Sequence, residues 1–411
     1  IAGNMAAHGL AQLGTGQRPN LRDLLLTPGN VTRIADQLAK MRGAAMKIGQ
    51  LLSMDSGEVL PPELAQIMAR LRDDAHFMPP AQLKQVLNAE WPKGWLQAFH
   101  SFDVHPIAAA SIGQVHRAKL KDGRDLAIKV QYPGVAKSID SDVANVGALM
   151  RISGLLPKGF ELGPYLSAAR EQLHEETDYV REGDCLSRFG TLLDGSADFE
   201  VPAICSEWST TNILAMSFVS GIPIEQTEHL AQDLRDQIAS RLITMSLKEL
   251  FSFGVMQTDP NFANYLYDTD TGRIVLLDFG ATREIDLSVV DQYRRIMHFG
   301  LAEDVAGLAE VSEEIGFFDN TTLAAHRDQV IDMMRLVFNA LNENLPFDFA
   351  HNDLSRQMQA KGQSLAEDGF IPPPLPIDIL LLQRKFGGMF LLAKKLRARV
   401  DVVSLLETYV H

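Results

Sequence analysis

The chain has 411 residues, enough for one large domain or two modest ones with a substantial core. Apolar residues make up 46% and charged residues 22%, which is ordinary for a globular protein. The formal net charge of −14 argues against a nucleic-acid-binding protein, because clustered Lys and Arg are needed to meet a phosphate backbone. Two cysteines are too few for a disulfide framework and fit a reducing compartment.

The first hundred residues have the pattern of helices. Apolar residues recur at helical spacing between Thr32 and Met54, and two further helices are predicted over 62–72 and 81–90. The helix at 62–72 begins with two prolines and has Glu63 in its first turn, which is typical of a helix start. We therefore predict an N-terminal helical region over residues 1–100.

Strands and longer helices are predicted downstream of residue 100. In chain order they are strands 111–118 and 125–131, helices 135–153 and 165–189, strands 199–204 and 212–218, helix 228–253 and strand 274–278. The remainder is mainly helical. This order predicts an α+β, protein-kinase-like bilobal fold, with a small sheet-containing N-lobe over 101–220 and a helical C-lobe over 221–411.

The segment from Thr258 to Asn264 contains Asp259 and Asn264 separated by four residues. In the kinase catalytic loop an Asp and an Asn at this spacing orient the attacking oxygen and help to hold magnesium. Further on, Asp278 follows an apolar run and begins the tripeptide Asp-Phe-Gly. A carboxylate at the end of a buried strand suits a magnesium ligand that bridges phosphates. We predict that Asp259 is catalytic and that Asn264 and Asp278 bind Mg2+.

Each of these signals has an ordinary alternative when it stands alone. Asp-Phe-Gly is a common tripeptide, and a bare Asp-x4-Asn more often caps a turn than binds a metal. Their order along the chain, with a strand and a turn between them, favours the nucleotide-site interpretation.

Lys129 lies in a predicted strand, in the position where a kinase lysine pairs with the α- and β-phosphates of ATP. Without the downstream acidic residues, a strand-edge lysine in solvent would be the better interpretation. This lysine needs an acidic partner, and the predicted helix 165–189 offers Glu171, Glu175, Glu176, Asp178 and Glu182. Because residues six positions apart lie on different faces of a helix, Glu182 is predicted to have a different role from Glu176 and Asp178. A solvated acidic face remains the alternative for Glu171 and Glu175.

The loop predicted to cover the phosphates is rich in alanine where a typical kinase has Gly-x-Gly-x-x-Gly. Alanine carries a Cβ that glycine lacks, so this loop is expected to be stiffer. Its predicted nucleotide-binding residues are Ala108, Ala109, Ala110 and Ser111. The hinge predicted to bind adenine consists of Met216 at the back pocket and the backbone of Ser217 and Val219. The predicted cofactors are therefore ATP and Mg2+.

Together these motifs resemble the UbiB/AarF-type atypical kinases, specifically the coenzyme Q branch with its mitochondrial ADCK-like members. The resemblance runs from about Ala39 to the C-terminus. The family's Lys-x-Gly-Gln motif is present at residues 47–50 and its Glu-x-Asp motif at 176–178. The alanine-rich loop and the stretches 257–264 and 277–283 match as well.

The resemblance implies that the N-terminal helices cover the cleft, with Lys47 and Gln50 where a protein substrate would dock. It further implies that Lys47 pairs with Glu176 or Asp178, while Glu182 pairs with Lys129. The function it implies is Mg-ATP binding and hydrolysis in support of ubiquinone biosynthesis, coupled to the handling of polyprenyl lipid intermediates at a membrane.

Two other functions remain open. One is phosphotransfer to a hydroxyl of a small molecule or a protein. The other is a nucleotide-binding scaffold of a biosynthetic complex, whose usual sign, loss of the Lys or of a metal ligand, is missing here.

The expected partners are polyprenyl phenol or quinone intermediates, a peripheral membrane surface and a ubiquinone-biosynthesis complex, with no nucleic acid. No apolar run is long enough to span a bilayer. The expected location is the cytoplasm or the matrix, peripherally on the inner membrane. Four basic residues beside the apolar run 389–392 fit such a surface, although a solvated helix end is about as good an interpretation. They are Lys394, Lys395, Arg397 and Arg399.

Overall fold

The computed structural model describes residues 38, 41–55, 77–110, 112–153 and 162–410. The predicted helix over 62–72 and the nucleotide-loop residue Ser111 lie outside the described residues. Described residues up to Arg181 form one compact unit with Ile204–Phe218, and Glu182–Ala203 forms a second with the chain from Val219 onward. The N-terminal helices and the first sheet thus share one unit. The predicted division of the chain at residues 100 and 220 stays a prediction.

The α-helices of the described residues are α1 Arg42–Asp55, α2 Pro80–Glu90, α3 Val135–Ser153, α4 Gly163–Glu176, α5 Tyr179–Leu192, α6 Gln232–Lys248, α7 Leu287–Leu301, α8 Val305–Ile315, α9 Ala324–Glu343, α10 Leu354–Glu367, α11 Ile377–Lys395 and α12 Val402–Val410. Helix α1 packs against α3 and α4 in the first unit, and its buried side includes Ala44, Ala45 and Ile48. Those positions recur at helical spacing, as the sequence pattern predicts.

The strands of the described residues are β1 Phe99–Phe102, β2 Ala108–Ala109, β3 Gly113–Leu120, β4 Asp125–Gln131, β5 Phe199–Glu200, β6 Ile213–Ser217, β7 Ile222–Pro223, β8 Val255–Gln257, β9 Tyr265–Tyr267, β10 Ile274–Leu276, β11 Thr282–Glu284, β12 Phe347–Asp348 and β13 Arg399–Val400. In the first unit an antiparallel sheet has the order β1-β3-β4-β6, and β2 pairs with β3. Leu126, Ile128 and Val130 of β4 enter a core that includes an aromatic cluster around Trp91.

The predicted single helix over 165–189 is wrong: the structure has two helices, α4 and α5, separated at Thr177 and Asp178. The physical reason is the Asp178 side chain, whose Oδ1 accepts hydrogen bonds from the N–H groups of Val180 and Arg181 at 3.1 and 3.0 Å. An aspartate in this position satisfies the unpaired N–H groups at the start of a helix. Glu176 and Glu182 therefore lie on different helices, and not on two faces of one.

The second unit combines short sheets with most of α5 and the helices α6 to α12. Strands β5, β10, β9 and β7 form one sheet, while β8 pairs with β11 and β12 with β13. Two of these antiparallel pairs position the candidate site, since Tyr265 faces Leu276 across β9 and β10, and Gln257 faces Thr282 across β8 and β11. The predicted helix over 228–253 corresponds to α6 followed by a π-helical turn at Glu249–Phe253.

The end of α11 bears on the expected membrane surface. Met389 and Leu392 of the apolar run are buried in the protein, whereas Leu391 is exposed. Of the basic residues, Lys395 lies 3.4 Å from Glu228 and Arg399 lies 3.5 Å from Asp348. These contacts fit a helix end engaged within its own unit. Among the helices of the described residues, none is both long enough and apolar enough to cross a bilayer.

Candidate functional site

The loop over residues 258–264 leaves β8 and is fastened at both ends. At its start, the N–H and the hydroxyl of Thr258 both donate to the carbonyl oxygen of Ala281, at 3.1 and 2.8 Å. At its end, the N–H of Leu277 donates to the carbonyl oxygen of Asn264 at 3.0 Å. The 258–264 loop is therefore held between two strand pairs of the second unit.

This loop brings Asp259, Asn264 and Asp278 into one region of the second unit. Asn264 Nδ2 donates to the backbone oxygen of Asp259 at 3.3 Å, so the amide oxygen of Asn264 is the atom left for a ligand. The pairing of Tyr265 with Leu276 puts Asn264 beside the start of the Asp-Phe-Gly segment. Asn264 and Asp278 line the same small cavity.

Two contacts of the residues that follow Asp278 hold the Asp-Phe-Gly segment in place. The N–H of Gly280 donates to Asp278 Oδ1 at 2.9 Å. Phe279 is buried and packs against Phe189 of α5, with ring centres 4.9 Å apart. These two contacts restrict the backbone that carries Asp278.

The side chain of Asp259 has a partner that the sequence patterns did not indicate. Arg384 of α11 donates through Nη2 to Asp259 Oδ1 at 2.6 Å. The side chain of Arg384 is 7% exposed and that of Asp259 is 19% exposed, so this ion pair is largely removed from water. A charge-assisted hydrogen bond of this length is among the stronger ones in proteins.

The next residue of α11, Lys385, is buried and binds the same stretch of chain. Its Nζ donates to the Gln257 carbonyl oxygen at 2.8 Å and to the Tyr265 hydroxyl at 3.1 Å, and lies 3.2 Å from the Glu249 carboxylate. Burial would lower the pKa of Lys385, but the Glu249 carboxylate and the Tyr265 hydroxyl outweigh it and raise this pKa above its ordinary value. Lys385 is therefore a buried cation at neutral pH.

In the first unit, Lys129 lies on the face of β4 opposite the residues that enter the core, yet its side chain is buried. Its Nζ lies 5.1 Å from the centre of the Tyr179 ring, within the range of a cation–π interaction. Tyr179 follows directly after the Glu-x-Asp motif and is fully buried. No sequence pattern singled out this tyrosine, although its place next to the motif was visible.

The described part of the alanine-rich loop is hydrogen-bonded to the start of β3. The N–H of Ala110 donates to the Gly113 carbonyl oxygen at 2.9 Å, and Ala108 and Ala109 are exposed. Gly113 sits where a Cβ atom would lie 2.4 Å from the carbonyl oxygen of Val130. The stiffness expected of this loop and its contact with a nucleotide both stay predictions.

A buried polar chain supports the base of this loop. The N–H of Met78 donates to Gln114 Oε1 at 2.7 Å, Gln114 Nε2 lies 2.8 Å from His116 Nε2, and His116 Nδ1 lies 2.8 Å from the Asp103 carbonyl oxygen. A carbonyl oxygen only accepts, so Nδ1 carries the imidazole proton and Nε2 accepts from Gln114. Burial lowers the pKa of His116, which keeps the ring neutral.

Lys47 of α1 forms an ion pair with Glu176 at the end of α4. Of the two partners that the family resemblance left open, the structure thus joins Glu176 to Lys47, whereas Asp178 caps α5. Helix α1 includes Gln50, whose side chain lies outside the described part of the chain. The role of this ion pair in covering a cleft stays a prediction.

The remaining predicted residues are placed individually. Glu182 is buried on α5 and falls in the second unit, whereas Lys129 falls in the first, so their pairing stays a prediction. Met216 is buried in β6, where Leu126 is the strand partner of Ser217. Val219 is the first residue after the change of unit, and the adenine-binding role of this hinge also stays a prediction.

The comparisons with known proteins agree with the family resemblance of the sequence. A family model described as the ABC1 atypical kinase-like domain matches residues 70–312. The mitochondrial atypical kinase COQ8 of Saccharomyces cerevisiae is 36% identical over 406 residues, which cover 98% of this chain and 81% of that protein. The mitochondrial atypical kinase COQ8B of Rattus norvegicus is 37% identical over 386 residues, covering 94% of this chain and 73% of that protein.

A solved structure gives the same fold. The complex of Rv3197 with erythromycin from Mycobacterium tuberculosis matches with a TM-score of 0.63 at 23% identity, over 91% of this chain and 93% of that chain. This supports the α+β kinase-like bilobal fold that the order of elements predicts. The chain belongs to the ABC1, or UbiB-type, family of atypical kinases, and within it is similar to the mitochondrial COQ8 proteins.

Proposed function

We propose that this atypical kinase binds Mg-ATP and uses it, by hydrolysis or phosphoryl transfer to a small acceptor, in support of coenzyme Q biosynthesis. The observation that carries the proposal is the convergence of Asp259, Asn264 and Asp278 on the 258–264 loop and its neighbouring strand. The coenzyme Q connection comes from the family branch, whose members have the name COQ8.

The donor set fits magnesium better than a transition metal. An amide oxygen from Asn264 and a carboxylate from Asp278 are hard oxygen ligands, and Mg2+ is commonly held by one or two such groups together with phosphate oxygens and water. Within the described residues there is no group of three or more His, Cys, Asp or Glu that could form a metal site of another kind. When bound, Mg2+ would neutralise charge on the β- and γ-phosphates.

The chain's own groups have distinct tasks in this proposal. Lys129, backed by the Tyr179 ring, holds the α- and β-phosphates by its charge. Asp259 accepts a hydrogen bond from the attacking water or hydroxyl and aligns it with the γ-phosphate. Most of the rate enhancement then comes from positioning and from charge neutralisation, since phosphoryl transfer needs little covalent participation by the protein.

A feature of the first unit favours hydrolysis, or transfer to a small acceptor, over the phosphorylation of proteins. Lys47 is buried in an ion pair with Glu176, so α1 is fastened to α4 by more than apolar packing. By family resemblance these helices occupy the region where a protein substrate would dock. The small acceptor or coupled ligand is then a polyprenyl phenol or quinone intermediate, met at a membrane surface or within a biosynthetic complex.

The test is turnover of Mg-ATP by purified protein, with and without liposomes and soluble phenolic quinone precursors. Asp278→Asn is the site variant, and Arg295→Ala, which removes a 2.6 Å pair with Glu314, is the matched control. Magnesium-dependent hydrolysis that rises with lipid or phenol and is lost only in Asp278→Asn supports the proposal. Phosphate recovered on a phenol or on a protein identifies a transferase, and nucleotide binding without turnover in every condition points to the scaffold.

A further inference from the structure

The strongest feature that the proposed function does not use is the contact between α11 and the 258–264 loop. Arg384 binds the Asp259 carboxylate at 2.6 Å, and Lys385 binds the Gln257 carbonyl oxygen and the Tyr265 hydroxyl on either side of that loop. Gly388 lies so close to Pro260 that an added Cβ would be 2.3 Å from the proline Cβ. One helix thus contacts this loop and both its flanks through consecutive turns.

The spacing of these residues puts them on one side of α11. Gly388 follows Arg384 by four positions and Lys385 by three, and residues at those separations are neighbours on a helix surface. Lys385 is held by the buried Glu249 carboxylate, so the helix face cannot slide without breaking a buried ion pair. The Arg384 guanidinium is therefore presented to Asp259 from a fixed support.

The burial of this arginine argues against a purely structural role. Taking two charges out of water costs about as much as their attraction returns, so a buried ion pair is weak evidence for a stability device. A loop carboxylate without such a partner has several rotamers of similar energy. A short hydrogen bond from a rigid guanidinium selects one of them, because the guanidinium fork has a fixed geometry.

We propose that Arg384 is a positioning residue of the phosphoryl-transfer site, one that fixes the rotamer of the Asp259 carboxylate. The inference rests on the proposed function. The ion pair engages Oδ1 of Asp259 and turns the carboxylate so that Oδ2 is the oxygen presented to the attacking water or hydroxyl. Arg384 acts through Asp259, and its removal lowers the rate of the chemical step without weakening nucleotide binding.

The experiment is a double-mutant cycle of Arg384→Ala and Asp259→Asn. Arg384→Lys is the conservative variant. Arg295→Ala, which breaks an ion pair elsewhere in the same unit, is the control. Three readouts are taken with Mg-ATP as the probe: kcat, the Kd of the nucleotide, and the midpoint of urea unfolding. We expect Arg384→Ala to lower kcat by about tenfold to a hundredfold, since a small misplacement of a catalytic group has effects of this order. The nucleotide Kd should change by less than about twofold, the size of change expected when no phosphate contact is lost.

Three further results support the positioning role. Arg384→Lys should recover part of kcat, Arg295→Ala should leave kcat unchanged, and Arg384→Ala should add little to the loss already caused by Asp259→Asn. An unchanged kcat in Arg384→Ala, equal losses in kcat and in nucleotide affinity, or fully multiplicative losses in the double variant would overturn it. If Arg384→Ala does not fold, the same comparison is made with Arg384→Lys and Arg384→Gln.

The unfolding readout separates this inference from the proposed function. Absence of turnover by the wild type contradicts the proposed function, but the unfolding midpoints still report the pair. If the unfolding midpoint of the double variant differs from the sum of the two single-variant shifts, a native contact between Arg384 and Asp259 is supported. The reason is that each single variant leaves the other charge buried. Additive shifts overturn the inference whether or not the wild type turns over ATP.

Discussion

Lys47 in α1 and Glu176 in the last turn of α4 form an ion pair whose side chains are only 4% and 12% exposed. Removing one member of such a pair leaves the other charge buried without its counter-ion, which typically costs about 3–5 kcal/mol. We therefore expect Lys47→Ala to destabilise the protein by an amount of that order, measured as the free energy of unfolding in urea. Replacing both members by Met and Leu should cost much less.

The matched control for this prediction is Arg170→Ala. Arg170 pairs with Asp140 at 3.1 Å in the same unit, but both side chains are well exposed. An exposed pair contributes about 0–1 kcal/mol. Equal effects of the Lys47 and Arg170 variants would show that the Lys47 pair is not buried in solution.

Tyr179 is expected to support Lys129 through its ring and not through its hydroxyl. A cation over an aromatic face gains about 0.5–2 kcal/mol, depending on its exposure to water. Tyr179→Leu should therefore weaken Mg-ATP binding by about twofold to thirtyfold, the equivalent of that free energy. Tyr179→Phe keeps the ring and should bind within about twofold of the wild type, as titration calorimetry can measure.

The exposed neighbour Val180 provides a control on the same helix. Val180→Ala should leave the nucleotide Kd unchanged. A loss of affinity in Tyr179→Phe as large as that in Tyr179→Leu would mean that the hydroxyl, which lies close to Gly113, is the functional group.

The hydrogen bonds that join Met78, Gln114 and His116 make the free energy of unfolding depend on pH. Burial lowers the pKa of His116 below its value of 6.5 in the unfolded chain, so the unfolded state takes up a proton first as the pH falls. The stability contributed by the neutral ring is complete above pH 6.5 and is lost progressively below it. Protonated Nε2 would also face the Gln114 amide donor, and an unmade buried hydrogen bond costs about 1–3 kcal/mol.

We expect the free energy of unfolding to fall between about pH 7 and pH 5 more steeply in the wild type than in His116→Gln. The glutamine side chain of that variant does not titrate, so the difference between the two pH profiles isolates the histidine. An exposed histidine, His100, supplies the control variant His100→Gln, which should retain the wild-type slope. Parallel profiles for the wild type and His116→Gln would contradict the role assigned to His116.

Much of the fold, and the choice of residues for the candidate site, follow from local sequence patterns. Apolar periodicity locates α2 and α3 to within a residue, and strand β4 is found at its predicted bounds. The Asp-x4-Asn spacing and Asp-Phe-Gly point to Asp259, Asn264 and Asp278, and the structure brings these three residues close together. Their roles stay predictions. These elements can be predicted because the contacts that define them join residues close in sequence.

The contacts that the sequence could not predict join distant segments. Arg384 lies 125 positions after Asp259, and nothing in the pattern of α11 distinguishes its basic residues from solvated ones. The split between α4 and α5 depends on a single side chain, Asp178, which the helical pattern on either side obscures. The burial of Lys385 is likewise set by tertiary packing, which outweighs the preference of lysine for water.

Gly388 provides the sharpest test of how closely α11 must approach the 258–264 loop. An alanine Cβ at this position would lie 2.3 Å from Pro260 Cβ and 2.6 Å from its Cγ, both far inside contact distance. Either the helix or the loop must move, and overpacking of this kind costs about 1–3 kcal/mol. Because Pro260 is next to Asp259, we expect Gly388→Ala to lower kcat by at least about tenfold, since a displacement of about 1 Å can have larger effects.

The adjacent glycine supplies a matched control in the same helix. A Cβ added to Gly387 would meet no atom within 4 Å, so Gly387→Ala should leave kcat unchanged and, by better helix propensity, slightly raise stability. The comparison requires kcat for Mg-ATP turnover and the unfolding midpoint of both variants. Loss of activity in Gly388→Ala alone, larger than its loss of stability explains, ties the position of α11 to the chemistry at Asp259. Equal activity in the two variants would show that the loop can yield to α11 without losing its function, and would weaken the assignment of Arg384 as its positioning residue.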